Sequence, residues 1–304
     1  MYKSLRLAAT VTALGLTAAC GGQAGARAGG AHIEAVAAFY PLEYVTEQVG
    51  GDHVHVDNLV PPGTEPHDLE LSPKQVASLG DAGLVVYLSG FQPAVDEAVA
   101  GQAADRSLDV TTAAPLLEDA GHGQDGHDHG HAAKDPHLWL DPTRLAAVAD
   151  AVAARLAKVD AGHAAEFTAN AEALRAKLTA LDTEYRNGLA KCASRDIVVS
   201  HEAFGYLADR YDLHQVGITG LSPDQEPTAA RLAEVARIAK AENVDVIFFE
   251  TLVSPRIAET LAREVGARAE VLDPLEGLEP GSTGDYISVM RSNLTTLRSA
   301  LGCT

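Results

Sequence analysis

An apolar stripe in mid-chain limits the possible folds most. Phe167, Leu174, Leu178, Leu181, Tyr185 and Leu189 recur at spacings of three, four and seven, which places them on one face of a helix. The pattern predicts a helix from about His163 to Lys191, roughly 40 Å long at 1.5 Å per residue. A shorter helical pattern precedes it from Thr143, with Leu145, Val148, Val152 and Leu156 on one face. Before this helical block, candidate strands at Ile33–Phe39, His53–Val60, Leu84–Leu88 and Ser107–Val110 alternate with candidate helices. After it, strands at Asp196–Ser200, Gln215–Ile218, Val244–Phe249 and Ala269–Leu272 alternate in the same way. A β-α-β-α-β-α-β order implies a mostly parallel sheet covered on both faces. The predicted fold is therefore α/β: two (β/α)4-like lobes joined by one long rigid helix, with a cleft between them. In open α/β sheets ligands bind outside the carboxyl ends of the strands, so residues just past strand ends are the ones to inspect.

The 304 residues suffice for one large or two ordinary domains. The formal net charge is -19, which argues against a nucleic-acid partner and suits a protein that attracts cations. The N-terminus has a targeting pattern. Lys3 and Arg6 precede an apolar run, Leu7–Leu16, too short to span a bilayer. Thr17-Ala-Ala-Cys20 follows and resembles a bacterial lipoprotein signal, in which the lipidated cysteine becomes the first residue of the mature chain. Cleavage by ordinary signal peptidase near Ala19 is the alternative. The expected organisation is a signal peptide over 1–19, a lipid-anchored tether over 20–31 and an N-terminal lobe over 32–142. Linking helices over 143–192 and a C-terminal lobe over 193–304 complete it. Two further cysteines in an exported chain, Cys192 and Cys303, imply a disulfide from the end of the central helix to the C-terminus.

Chemistry concentrates around Asp135-Pro-His-Leu-Trp-Leu-Asp-Pro142, which holds the sole tryptophan. Pro136 and Pro142 push the preceding aspartates out of the α region, so His137 sits on a short rigid segment. Rigid surroundings are what a metal ligand needs. Just upstream, the low-complexity loop over 121–134 carries His122, His127, His129 and His131 and has too little apolar content to fold alone. His67 follows the second strand on a Pro/Gly-rich loop, His201 follows the fifth, and Asp273 follows the last. Each residue also has an ordinary structural use: His201 can cap a helix, and Asp273 before Pro274 is a common turn residue. Together, three imidazoles and a carboxylate form a tetrahedral set suited to Zn²⁺. Copper and nickel also take imidazole, whereas Mn²⁺ wants more oxygen donors. Glu65 and Glu202 adjoin these positions as supporting residues or competitors for the fourth place. His53 and His55 form an HxH pair read as strand-surface residues, since no third ligand of a hydrolase pattern follows.

Four stretches together resemble the metal-binding lipoproteins of bacterial zinc/manganese ABC importers. They are Leu59-Val-Pro-Pro-Gly-Thr-Glu-Pro-His-Asp-Leu-Glu70, Asp135–Pro142, Ser200-His-Glu-Ala-Phe-Gly-Tyr206 and Leu272-Asp-Pro-Leu275. The resemblance covers essentially the whole mature chain. It implies a two-lobed extracytoplasmic solute-binding protein that binds through His67, His137, His201 and Asp273. It also implies an importer permease as partner, a membrane anchor at Cys20, no enzymatic activity and a monomer. Manganese-type members tend to carry Glu at the third position, so His201 favours zinc with manganese as the alternative. The resemblance links the His-rich loop to zinc-type members, where it would capture ions weakly. Two rival classes are weighed. A secreted zinc hydrolase is disfavoured because His201-Glu202 begins an HExxH motif that fails at Gly205, and no GxSxG elbow occurs. A surface adhesin remains open as an added role.

Overall fold

The computed structural model describes residues 32–118 and 134–304. The signal, Cys20, the tether and the loop histidines His122, His127, His129 and His131 lie outside the described residues. Eight strands and nine α-helices alternate among the described residues. The first sheet contains β1 (Ile33–Ala37), β2 (Val54–Asn58), β3 (Leu84–Tyr87) and β4 (Ser107–Asp109) in the order β2-β1-β3-β4. The second contains β5 (Asp196–Val199), β6 (His214–Gly217), β7 (Val246–Phe249) and β8 (Arg268–Val271) in the order β6-β5-β7-β8. All pairings are parallel. The inner strands read as continuous apolar runs, Leu-Val-Val-Tyr in β3 and Val-Ile-Phe-Phe in β7, because helices cover both faces of each sheet.

Proline and small polar caps set the helix starts. Ser72 and Gln75 form a reciprocal capping box at α2 (Pro73–Asp81), with Pro73 in the first turn, where its missing N–H costs nothing. Asp141 caps α4 (Pro142–Val159): its side chain accepts the Thr143 N–H at 2.8 Å. The remaining helices of the first lobe are α1 (Tyr40–Gly50) and α3 (Pro93–Gln102). Those of the second are α6 (Gly205–Tyr211), α7 (Ala229–Ala241), α8 (Arg256–Val265) and α9 (Tyr286–Ala300).

The predicted long helix is present as α5 (Ala164–Gly188), 25 residues long. Its buried face is the expected stripe of Phe167, Leu174, Leu178, Leu181 and Tyr185. It starts one residue late because Asp160 instead caps a 3-10 turn over Ala161–His163. It ends at Gly188 rather than Lys191. A single hydrophobic cluster runs from Ile33 and Val36 through Trp139 and Leu178 to Ile197, Leu272 and Tyr286, so the lobes share one core. A smaller cluster around Val235, Ile247 and Leu261 belongs to the second lobe alone. Cys192 and Cys303 are disulfide-bonded, closing the second lobe on its own C-terminus.

Candidate metal centre

Four segments deliver four side chains to one point. His67 hangs on the loop after β2. That loop is shaped by Gly63, whose φ of +81° suits glycine alone and whose Cβ, if present, would fall 2.8 Å from Pro280. The Gly63 N–H donates to the Leu278 carbonyl at 2.8 Å, and buried Gln92 donates to the Pro66 carbonyl at 3.1 Å, so the loop is anchored on both sides. His137 precedes the 3-10 turn Leu138–Leu140. The turn is fastened by Trp139, whose Nε1 donates to the Pro274 carbonyl at 2.7 Å, and by Tyr286, whose hydroxyl donates to the Trp139 carbonyl at 2.6 Å. His201 lies two residues beyond β5. The fourth side chain is Glu276.

The Glu276 Oε1 atom lies 3.0 Å from His137 Nε2 and 3.2 Å from both His67 Nε2 and His201 Nε2. His137 Nε2 and His201 Nε2 are 3.4 Å apart. One ligand atom from each of the four residues lies within 4.8 Å of every other. Donors about 2.0–2.1 Å from a tetrahedral zinc would be roughly 3.3–3.4 Å from one another, so the spacing already matches. His137, His201 and Glu276 are buried, and Glu276 Oε2 has no hydrogen-bond partner. An orphaned buried carboxylate oxygen is costly unless a charge joins it.

Buried carboxylates orient two of the imidazoles from behind. His137 Nδ1 is 2.7 Å from Asp135 Oδ1, which also accepts the His137 backbone N–H at 2.9 Å. His201 Nδ1 is 2.9 Å from Glu250 Oε1, which also accepts the Ser200 hydroxyl at 2.7 Å. This is the carboxylate–histidine arrangement that fixes the tautomer and leaves Nε2 for a metal. Burial pushes the His137 imidazole down, but hydrogen bonds and charge from Asp135 and Glu276 outweigh it and leave its pKa raised. His201 is likewise raised well above the ordinary value, because Glu276 and Glu250 outweigh burial. Burial pushes Glu276 up, but the His201 charge and hydrogen bonds from the imidazoles hold it well below the usual carboxylate range.

Asp273, expected as the fourth ligand, is not in this group. Its Oδ1 accepts the Leu275 N–H at 2.7 Å, and its Oδ2 accepts the Thr251 hydroxyl at 2.9 Å. Asn293 brackets its backbone, accepting its N–H at 3.0 Å and donating to its carbonyl at 2.7 Å. Asp273 thus folds the turn that carries Leu275 at φ +60°, and the next residue is Glu276. The missed signal is chemical. An Asp before Pro commonly spends its side chain on the backbone two residues on, which made Glu276, three residues along, a second candidate donor in the same stretch. Glu65 accepts the His67 N–H at 2.9 Å, and its Oε1 lies 3.9 Å from His67 Nε2. Burial and the nearby Glu276 push the Glu65 carboxyl up to about 8. Glu202 accepts from Arg231 Nη2 at 3.4 Å. His55 is on β2, whereas His53 sits in the preceding 3-10 turn, stacked on His163 at 3.7 Å.

Two parallel-sheet lobes around the one His₃Glu cluster found among the described residues define a two-lobed metal-binding protein. Residues 35–300 match the family described as zinc-uptake complex component A, periplasmic, and the chain belongs to that family. It is 39% identical over 303 residues to the high-affinity zinc uptake system protein ZnuA of Bacillus subtilis, covering 94% of both chains. Zn(II)-bound AdcA from Streptococcus pneumoniae superposes with a TM-score of 0.76 at 36% identity, over 89% of this chain and 58% of that longer one. The laminin-binding protein Lmb of Streptococcus agalactiae, described as bifunctional with adhesin and metal transporting activity, superposes at 0.77 with 32% identity, over 88% and 99% of the two chains.

Proposed function

We propose that this chain is an extracytoplasmic receptor that binds one Zn²⁺ through His67, His137, His201 and Glu276 and hands it to a membrane ABC importer. The observation that carries this reading is the convergence of three Nε2 atoms on one carboxylate oxygen at 3.0–3.2 Å. Three nitrogens and one oxygen favour zinc over manganese, which prefers oxygen-rich coordination. Family membership and the zinc-uptake relative support it. Four protein donors leave no open position for a reacting water, as binding rather than catalysis requires. The N-terminal signal and Cys20 fit a lipid anchor, and the loop histidines fit weak ion capture ahead of the cleft. The likeness to Lmb keeps adhesion open as a second role.

The deciding experiment is metal analysis of the purified mature chain, followed by competitive titration of Zn²⁺ against Mn²⁺. One tightly held zinc that survives deletion of residues 121–131 is the expected result. A preference for manganese would refute the zinc assignment, and no tight metal would refute the receptor reading.

A further inference from the structure

Beside the metal centre, the second lobe has a cavity of about 160 Å³ at the carboxyl ends of β5, β6 and β7. Because the chain leaves β5 toward β6 on one side and reaches β7 on the other, this is the switch point where open α/β sheets receive ligands. Ile218, Val253 and Ile257 form apolar walls, Asp224 and Glu226 stand at the rim, and Glu250 lines the cavity. No basic side chain lines it among the described residues. Ile257 is 43% exposed, one of three exposed large hydrophobic side chains among the described residues. Glu250 is only 2% exposed. Both hydrogen bonds to its carboxylate, from Ser200 and His201, fall on Oε1, so Oε2 is engaged by neither.

Resting on the receptor reading above, we propose that this cavity is a socket for one arginine or lysine side chain of the importer's membrane subunit, and that filling it loosens His201. The volume is below the several hundred Å³ of a small-molecule pocket and suits a single long side chain. Apolar walls receive the methylene stem, and carboxylates receive the cationic head. The acidic rim steers the cation inward. At the far end, the cation meets the carboxylate that supports His201 Nδ1. Drawing negative charge from Glu250 weakens the imidazole as a ligand, because such outer partners govern metal affinity by about 10–100-fold. Docking and zinc release then become one event.

Ser254 lines the cavity from its exposed edge and allows a test in two arms. In the first, zinc transfer to a chelator is timed for the unaltered protein, Ser254→Arg and Ser254→Gln, with circular dichroism and zinc stoichiometry as folding checks. S254R supplies the cation from within and is expected to release zinc about tenfold faster or more, whereas S254Q fills similar space without charge and keeps the original rate. Ser254→Lys is the second variant should S254R misfold. Release from S254R at the original rate overturns the coupling. In the second arm, zinc uptake is measured in liposomes containing the importer. The double variant Asp224→Asn/Glu226→Gln should bind and release zinc normally yet need a several-fold higher concentration for half-maximal uptake. An unchanged half-maximal concentration overturns the docking role. If the unaltered protein binds no tight zinc, or binds it and drives no uptake, the receptor reading itself fails and the socket falls with it.

Discussion

At the residue scale, the imidazoles differ in how firmly they are held. His137 and His201 are buried and backed by Asp135 and Glu250, whereas His67 is partly exposed at the cleft mouth. Substituting His137 or His201 with alanine should weaken zinc binding by more than about 100-fold, while Asp135→Asn or Glu250→Gln should cost about 10–100-fold. Asp273→Asn keeps the same turn geometry within reach and should cost far less than Glu276→Ala. Competitive titration ranks these variants, and equal losses for Asp273 and Glu276 would contradict the ligand assignment. The pH dependence follows from the raised His137 and His201 values. Both imidazoles keep their protons above the ordinary value near 6.5, and zinc must displace them. Apparent affinity should therefore already decline as pH falls through neutrality, by up to about tenfold per unit for each proton displaced. An affinity that stays flat from pH 8 to pH 5 would rule out a three-histidine site.

At the element scale, α5 is tied to the second lobe by polar contacts as well as its apolar stripe. Asp182 on α5 accepts from Arg210 Nε at 2.6 Å, the Tyr211 hydroxyl at 3.1 Å and Arg186 Nε at 3.0 Å. Burial raises the Asp182 pKa, but hydrogen bonds from the two arginines outweigh it and leave the group lowered. A lowered carboxylate contributes stability that is present above its unfolded value, near 3.9, and lost as pH falls through the folded one. Asp182→Asn should cost about 2 kcal/mol at pH 7, and the gap should close in thermal melts below about pH 4. The disulfide acts on the other end of the lobe. It spans 111 residues, so Cys192→Ser with Cys303→Ser should lose about 2–5 kcal/mol. The C-terminus also keeps backbone bonds such as Ala193 N–H to the Leu301 carbonyl and Thr304 N–H to the Lys191 carbonyl. The reduced variant should therefore still fold and bind one zinc, and a loss of zinc stoichiometry would show that the bridge organises the site as well.

At the scale of the whole molecule, a core continuous through both lobes opposes wide hinge opening. The loops that meet across the cleft add to this, since the Gly63 N–H is bonded to the Leu278 carbonyl. Zinc loading should therefore leave the radius of gyration in solution scattering nearly unchanged. Binding to the folded state alone should stabilise it by about 2.7 kcal/mol when free zinc is one hundred times Kd, read as a melting temperature that rises with free zinc. A marked compaction on loading would mean that the lobes move as separate bodies.

The sequence alone determined the alternation of strands and helices, the long apolar stripe of α5 and the three histidines of the cluster, and it suggested the late cysteine pair that the structure joins. These are local properties: side-chain period, proline-braced turns and residue chemistry at strand ends. Tertiary structure decided the fourth donor. Asp273 and Glu276 are both plausible carboxylates in Leu-Asp-Pro-Leu-Glu276, and only Thr251 and Asn293, brought from other elements, reveal that Asp273 is occupied in holding the turn. Tertiary structure also assigned Asp135 and Glu250 to their histidines. Asp135 was visible two residues from His137, whereas Glu250 meets His201 across 49 residues of chain. Nothing local in the sequence encodes that second meeting, because it depends on the register of β5 beside β7 in a folded sheet.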